Sequence, residues 1–194
     1  MAKSDSEAAK RERKKTTKWV LQIFLVTIFV SAAITFLSDE IMANTSIYMA
    51  FVILLIIVLV GIAFDVIGVA VTSADEKPFH SMAARKVPGA HESIKLLRNA
   101  ERVSSICNDV IGDICGVVSG SASATIAAEV LRNFEFSWPR VITLAMSAVV
   151  AALTVGGKAI GKTFAINSST AIVHGVGRVM YVLHHFSGAV FKKK

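Results

Sequence analysis

The sequence predicts an all-α integral membrane protein with about four transmembrane helices, a cytoplasmic helical hairpin between spans two and three, and an amphipathic C-terminal helix. Three features of the chain predict it. Of its 194 residues, 54% are hydrophobic and only 18% charged, more apolar surface than a water-soluble fold hides. Ten of the thirty-five formal charges fall in the first eighteen residues, and Lys192, Lys193 and Lys194 close the chain. Between these ends lie apolar runs of roughly twenty residues, the length that crosses a bilayer.

Residues 1–18 form a basic tail, predicted to be cytoplasmic, and residues 19–37 the first span. A charged stretch before an apolar one also suits a signal peptide. The length of the run, and the lack of a small-residue cleavage site in SDEIMANTS, favour a retained anchor. The second span is 47–72, with Asp65 inside it. Residues 73–103 are polar, and Pro78 and Pro88-Gly89 mark turns around two short helical patterns, the hairpin. The third span, 104–131, is rich in Gly, Ser and Ala, a composition suited to close helix packing. The link RNFEFSW offers Trp138 as an interfacial anchor, and Pro139 suits the first turn of a fourth span, 139–157. Residues 167–194 read as a juxtamembrane amphipathic helix with a basic end, with a fifth span as the competing reading.

The bases predict the orientation. The tail holds seven, from Lys3 to Lys18, and the interlude holds Lys77, Arg85, Lys86, Lys95, Arg98 and Arg102, whereas the 38–46 loop has Asp39 and Glu40 and no base. Both termini and the hairpin are therefore expected in the cytoplasm, with a prokaryotic plasma (inner) membrane as the default location. The net charge of +7 suits an anionic bilayer surface, and no nucleic-acid-binding signature accompanies it.

Burying a charge at mid-bilayer costs about 3 kcal/mol on the lenient scale, so the charges inside the spans are the candidate site. Asp65 lies toward the inner end of span two; Asp109 and Asp113, four apart, share a helical face in span three. Convergence of these three acids with Asn108, facing carbonyls freed at a Gly156-Gly157 break, would make an oxygen site for Mg²⁺, Ca²⁺ or Mn²⁺. Lys158 stands at a similar depth, so a structural Asp/Lys network is the competing reading. Glycines 61, 68, 112, 116 and 120 read as packing surface. Cys107 and Cys115 read as packing thiols, and the five histidines lack ligand-spaced companions. No catalytic or cofactor motif occurs, so neither an enzyme nor a cofactor is expected.

The segments FDVIGVAVTSAD, LLRNAER (96–102) and GKAIGKTFAI (157–166) follow a pattern. From Gly61 to about Ile166, the chain resembles the transmembrane domain of the cyclin M and CorC family of magnesium transporters. The chain departs from that family at Asp65-Val66-Ile67-Gly68, where a serine-glycine-serine-glutamate stretch is usual. In the Gly-Glu-x-x-Pro-Lys element, Gly157 and Lys162 match, but Lys158 replaces the glutamate and Gly161 the proline. The resemblance implies that residues 47–166 are a homodimeric domain holding a dehydrated Mg²⁺ between spans; the expected additional span before it and the expected lack of cystathionine-beta-synthase domains after it are departures from the family. Gly157 would be a coordinating position, with Asp65 and Asn108 as counterparts of ligands, and Lys158 and Lys162 a charge partner or gate. The expected function is divalent-cation transport, magnesium first. The alternative is a non-transporting membrane scaffold or regulatory module.

Overall fold

The computed structural model describes the backbone of residues 2–43, 45–134 and 138–191, and the side chains of 17–38, 40–41, 45–134 and 138–185. The closing lysines, the middle of the RNFEFSW link and most side chains of the basic tail lie outside the described residues. The described residues are helical with turns and contain no strand. Four helices are long and apolar enough to cross a membrane: Thr17–Ser38, Ile47–Ser73, Ala100–Asn133 and Pro139–Asn167.

The chain divides into two compact units, Met1–Thr45 and Ser46–Lys194. The first is one helix, α1 (Ala2–Ala43), which carries the apolar run and extends back through the tail. Its large apolar side chains, Phe24, Phe29 and Phe36 among them, face outward, as on a helix whose solvent is lipid.

The second unit begins with α2 (Ile47–Ser73), which starts after Ser46 and ends where Ala74 turns extended. The Asp75 carboxylate accepts the Lys77 N–H at 3.2 Å, and Pro78 sits in the first turn of α3 (Lys77–Ala84), where its missing N–H costs nothing. Lys86 and Gly89 both take positive φ in the turn that follows, and α4 (Ala90–Arg98) begins there. Glu92 in its first turn and Lys95 and Arg98 in its last complement the helix dipole. Asn99, whose side-chain amide donates to the Lys95 carbonyl at 2.9 Å, separates α4 from α5 (Ala100–Ser105). Seven residues of π-helix follow, Ile106–Gly112, and then α6 (Asp113–Asn133), so α5, the π segment and α6 make one long rod. Pro139 opens α7 (Pro139–Asn167), and Ser168 alone separates it from α8 (Ser169–Phe191).

Glycine 156 and 157 do not break α7: the helix runs ten residues past the expected end of span four. Close packing holds it, since a Cβ on Gly157 would strike Ile62, and one on Gly161 would lie 2.7 Å from Val66. Tertiary contact of this kind outweighs the roughly 1 kcal/mol per residue by which glycine disfavours helix.

The long apolar helices α2, α6 and α7 pack together, burying Leu54 and Val58 of α2, Val118, Ala122 and Ile126 of α6, and Gly161 and Ala165 of α7. At the end where α2 terminates, Ala70, Val71, Phe79, Ile94, Leu97, Ala165 and Val173 form one apolar cluster that joins α2, α3, α4, α7 and α8. Fully buried Ser93 on α4 ties this cluster to α8, its hydroxyl lying 2.9 Å from the Gly89 carbonyl and 3.2 Å from that of Val173. The apolar positions of α8 thus have two fates: Ile172, Val173 and Val176 turn toward the protein, and Val179, Met180 and Leu183 are exposed.

Candidate functional site

Asp65 on α2 is the buried charged side chain among the described residues, 4% exposed. The Lys158 ammonium reaches it from α7, Nζ lying 3.8 Å from Oδ1. That separation is beyond hydrogen-bond length, so the attraction is Coulombic. The other carboxylate oxygen, Oδ2, is buried without a donor. A second such acceptor lies nearby: the Asn108 side chain donates through Nδ2 to the Ser104 hydroxyl at 3.2 Å, while its Oδ1 is buried and without a donor.

Glycines set the spacing of these groups. The Asn108 amide lies where a Cβ on Gly68 would be, one turn along α2 from Asp65 and on its face. A Cβ on Gly61, one turn in the other direction, would stand 2.8 Å from Cys115 Cβ. Between these contacts, the Cβ position of Gly112 is 3.3 Å from Lys158 Nζ, so the absent side chain leaves room for the ammonium. Gly116 and Gly120 have nothing within 4 Å of theirs. The glycine stripe of span three is therefore not one packing surface. We expect Gly61→Leu to destabilise the protein by about 1–3 kcal/mol through overpacking, while Gly120→Ala lowers nothing, a contrast read by thermal unfolding in detergent.

The structure brings together Asp65, Asn108 and Lys158. It does not bring Asp109 and Asp113 to them: both are exposed, and Asp109 accepts a hydrogen bond from the Ser105 hydroxyl at 2.7 Å. The three acids therefore do not converge. Asn108, Gly112 and Cys115 take the side of the rod that meets α2, and Asp109, one residue on from Asn108, falls about 100° or slightly less around the axis. Gly157 lies within a continuous helix and serves as a close-packing position against Ile62, and Lys162 is exposed. Among the described residues, no group of three or more His, Cys, Asp or Glu side chains could hold a metal ion. Cys107 and Cys115 are free and buried. Sequence reasoning missed Gly112 as the seat of the lysine and Ser104 as the acceptor that orients Asn108.

Chemically, the centre offers two acceptor oxygens of different character, a carboxylate and an amide, with the Lys158 ammonium beside the carboxylate. Comparison with protein-family models, curated proteins and solved structures finds no match to the chain.

Proposed function

We propose that the chain is a membrane transporter of a small metal cation, which binds between α2 and the π segment at the oxygens of Asp65 and Asn108. One observation carries this reading: Asp65 Oδ2 and Asn108 Oδ1 are buried acceptors with no donor. Buried polar oxygens are ordinarily satisfied, and an unpaired carboxylate oxygen inside a membrane bundle marks a path for a cation or proton. Magnesium is the ion that the resemblance to the cyclin M and CorC family implies, and homodimerisation in the inner membrane, with both termini and the α3–α4 hairpin in the cytoplasm, belongs to the same proposal. The site uses one acid rather than three, so Lys158 has to yield as the ion enters.

A second reading rests on the Asp65–Lys158 pair itself: a scaffold with no transport, in which the pair is a structural link between α2 and α7. The test is thermal unfolding of the detergent-purified protein over concentration series of Mg²⁺, Mn²⁺, Ca²⁺, Na⁺ and K⁺ at fixed ionic strength. Transport by this site predicts saturable stabilisation by one ion, about 2.7 kcal/mol at a hundred times its Kd, and its loss in Asp65→Asn. A flat response to all five ions would favour the scaffold.

A further inference from the structure

We propose that Lys158 is a tethered competitor: its ammonium holds the site between transport events, and a metal ion enters only by displacing it. This rests on reading Asp65 and Asn108 as the cation site. The ammonium engages one oxygen of Asp65, Oδ1, and leaves Oδ2 without a donor. An incoming ion thus meets a free oxygen of a carboxylate already neutralised by the protein's own cation. One carboxylate cannot neutralise two cations, and among the described residues it belongs to no group of three or more His, Cys, Asp or Glu, Asp109 and Asp113 being exposed. Metal and ammonium on the same carboxylate would also repel strongly in a poorly screened interior. Occupancy is therefore exclusive.

Two features make displacement practicable. The Lys158 side chain is 21% exposed against 6% for Asp65, so the lysine is the less buried partner and its flexible stem can swing the charge away from the carboxylate. Its seat is also shallow: Gly112 supplies space with no side chain to grip the ammonium, and the 3.8 Å separation leaves the pair without a hydrogen bond. A lysine serving only as a structural strut would be expected to hydrogen-bond its carboxylate.

The experiment is pulsed acetylation of the detergent-purified full chain with acetic anhydride, read by mass spectrometry at Lys158 and, as an internal control, at exposed Lys162. It is run with MgCl₂, NaCl or choline chloride at equal ionic strength, and unfolding temperature is recorded on the same samples. The expected result is a several-fold rise in Lys158 modification that saturates over the concentrations of MgCl₂ or NaCl that stabilise the protein, with Lys162 unchanged. Stabilisation with Lys158 modification unchanged or reduced would overturn the competitor while leaving the cation site standing. No effect of either salt, nor of MnCl₂, CaCl₂ or KCl, beyond choline on stability or modification would overturn both. Lys158→Gln should bind the stabilising ion several-fold more tightly, and unchanged affinity would also overturn the proposal. Should that variant not fold, the labelling of the unaltered protein still decides.

Discussion

Gly89→Ala is expected to lower stability by about 2–5 kcal/mol, the sum of two separate penalties. Gly89 has φ +86°, a left-handed conformation that costs an L-residue with a Cβ about 1–2 kcal/mol. The added methyl would stand 2.6 Å from the Arg178 backbone nitrogen and 2.7 Å from its Cα. Those atoms belong to the α8 main chain and cannot rotate aside, so α8 must lift from α4, an overpacking cost of about 1–3 kcal/mol. Lifting α8 also pulls Val173 from the apolar cluster and its carbonyl from the Ser93 hydroxyl. At about 2–4 °C per kcal/mol, the unfolding temperature in detergent falls by about 10 °C. Gly175→Ala, on the same helix with nothing within 4 Å, is the control and should leave it unchanged. Equal effects of the two substitutions would mean that α8 does not seat on α4 through Gly89.

The second large effect is at the ion pair. Lys158→Met leaves Asp65 charged and buried with no compensating cation, a change that costs about 3–5 kcal/mol in comparable settings. Asp65→Asn should cost less, because the lysine left without a partner is the more exposed of the two. Combining the two removes both charges, and the double variant should recover most of the loss, since replacing a whole buried pair with neutral side chains is often close to neutral. The four unfolding free energies form a double-mutant cycle, in which the coupling is expected at about 3 kcal/mol or more. Strict additivity would mean that Lys158 and Asp65 do not interact in the folded protein. A saturating stabilising cation should restore much of the loss in Lys158→Met, as a metal ion takes the place of the missing ammonium; a pair that is only structural gives no such rescue.

The spanning helices were legible because length and hydropathy are the whole of the signal that a bilayer requires. The two short helices between spans were legible because Pro78 and Pro88-Gly89 are local punctuation with one mechanical meaning. Asp65 and Lys158 stood out for a related reason, being charges in apolar surroundings. The fourth span was read as ending at 157, whereas α7 continues to Asn167. Two adjacent glycines look like a helix break in one dimension, and only the contacts with Ile62 and Val66 show why they are not. The π segment leaves no comparable mark, because i to i+5 bonding is a property of the backbone with no preferred residue pattern. Without it, Asn108, Asp109 and Asp113 looked equally eligible; in the fold, Asn108 faces α2 and the two acids do not. Gly112 was hidden in the same way, as one member of a regular stripe whose next two members face open space.

The close contacts at Gly61 and Gly68 have a mechanical meaning. They lie seven residues apart on α2, about 10 Å along the axis, and are met by Cys115 and Asn108, also seven apart on the opposing rod. Sliding the rod by one turn in either direction would carry both side chains off glycine and onto same-face neighbours with a Cβ, Ile57 or Asp65 at one contact and Phe64 or Thr72 at the other. The two helices are therefore keyed at two points on either side of Asp65 and behave as a fixed frame. Both acceptor oxygens ride on that frame, and the ammonium rides on α7, which rests its glycines on the branched side chains of Ile62 and Val66. If the chain does carry a cation, the part free to move is consequently the Lys158 side chain, because α7 itself is seated on α2 through Gly157 and Gly161.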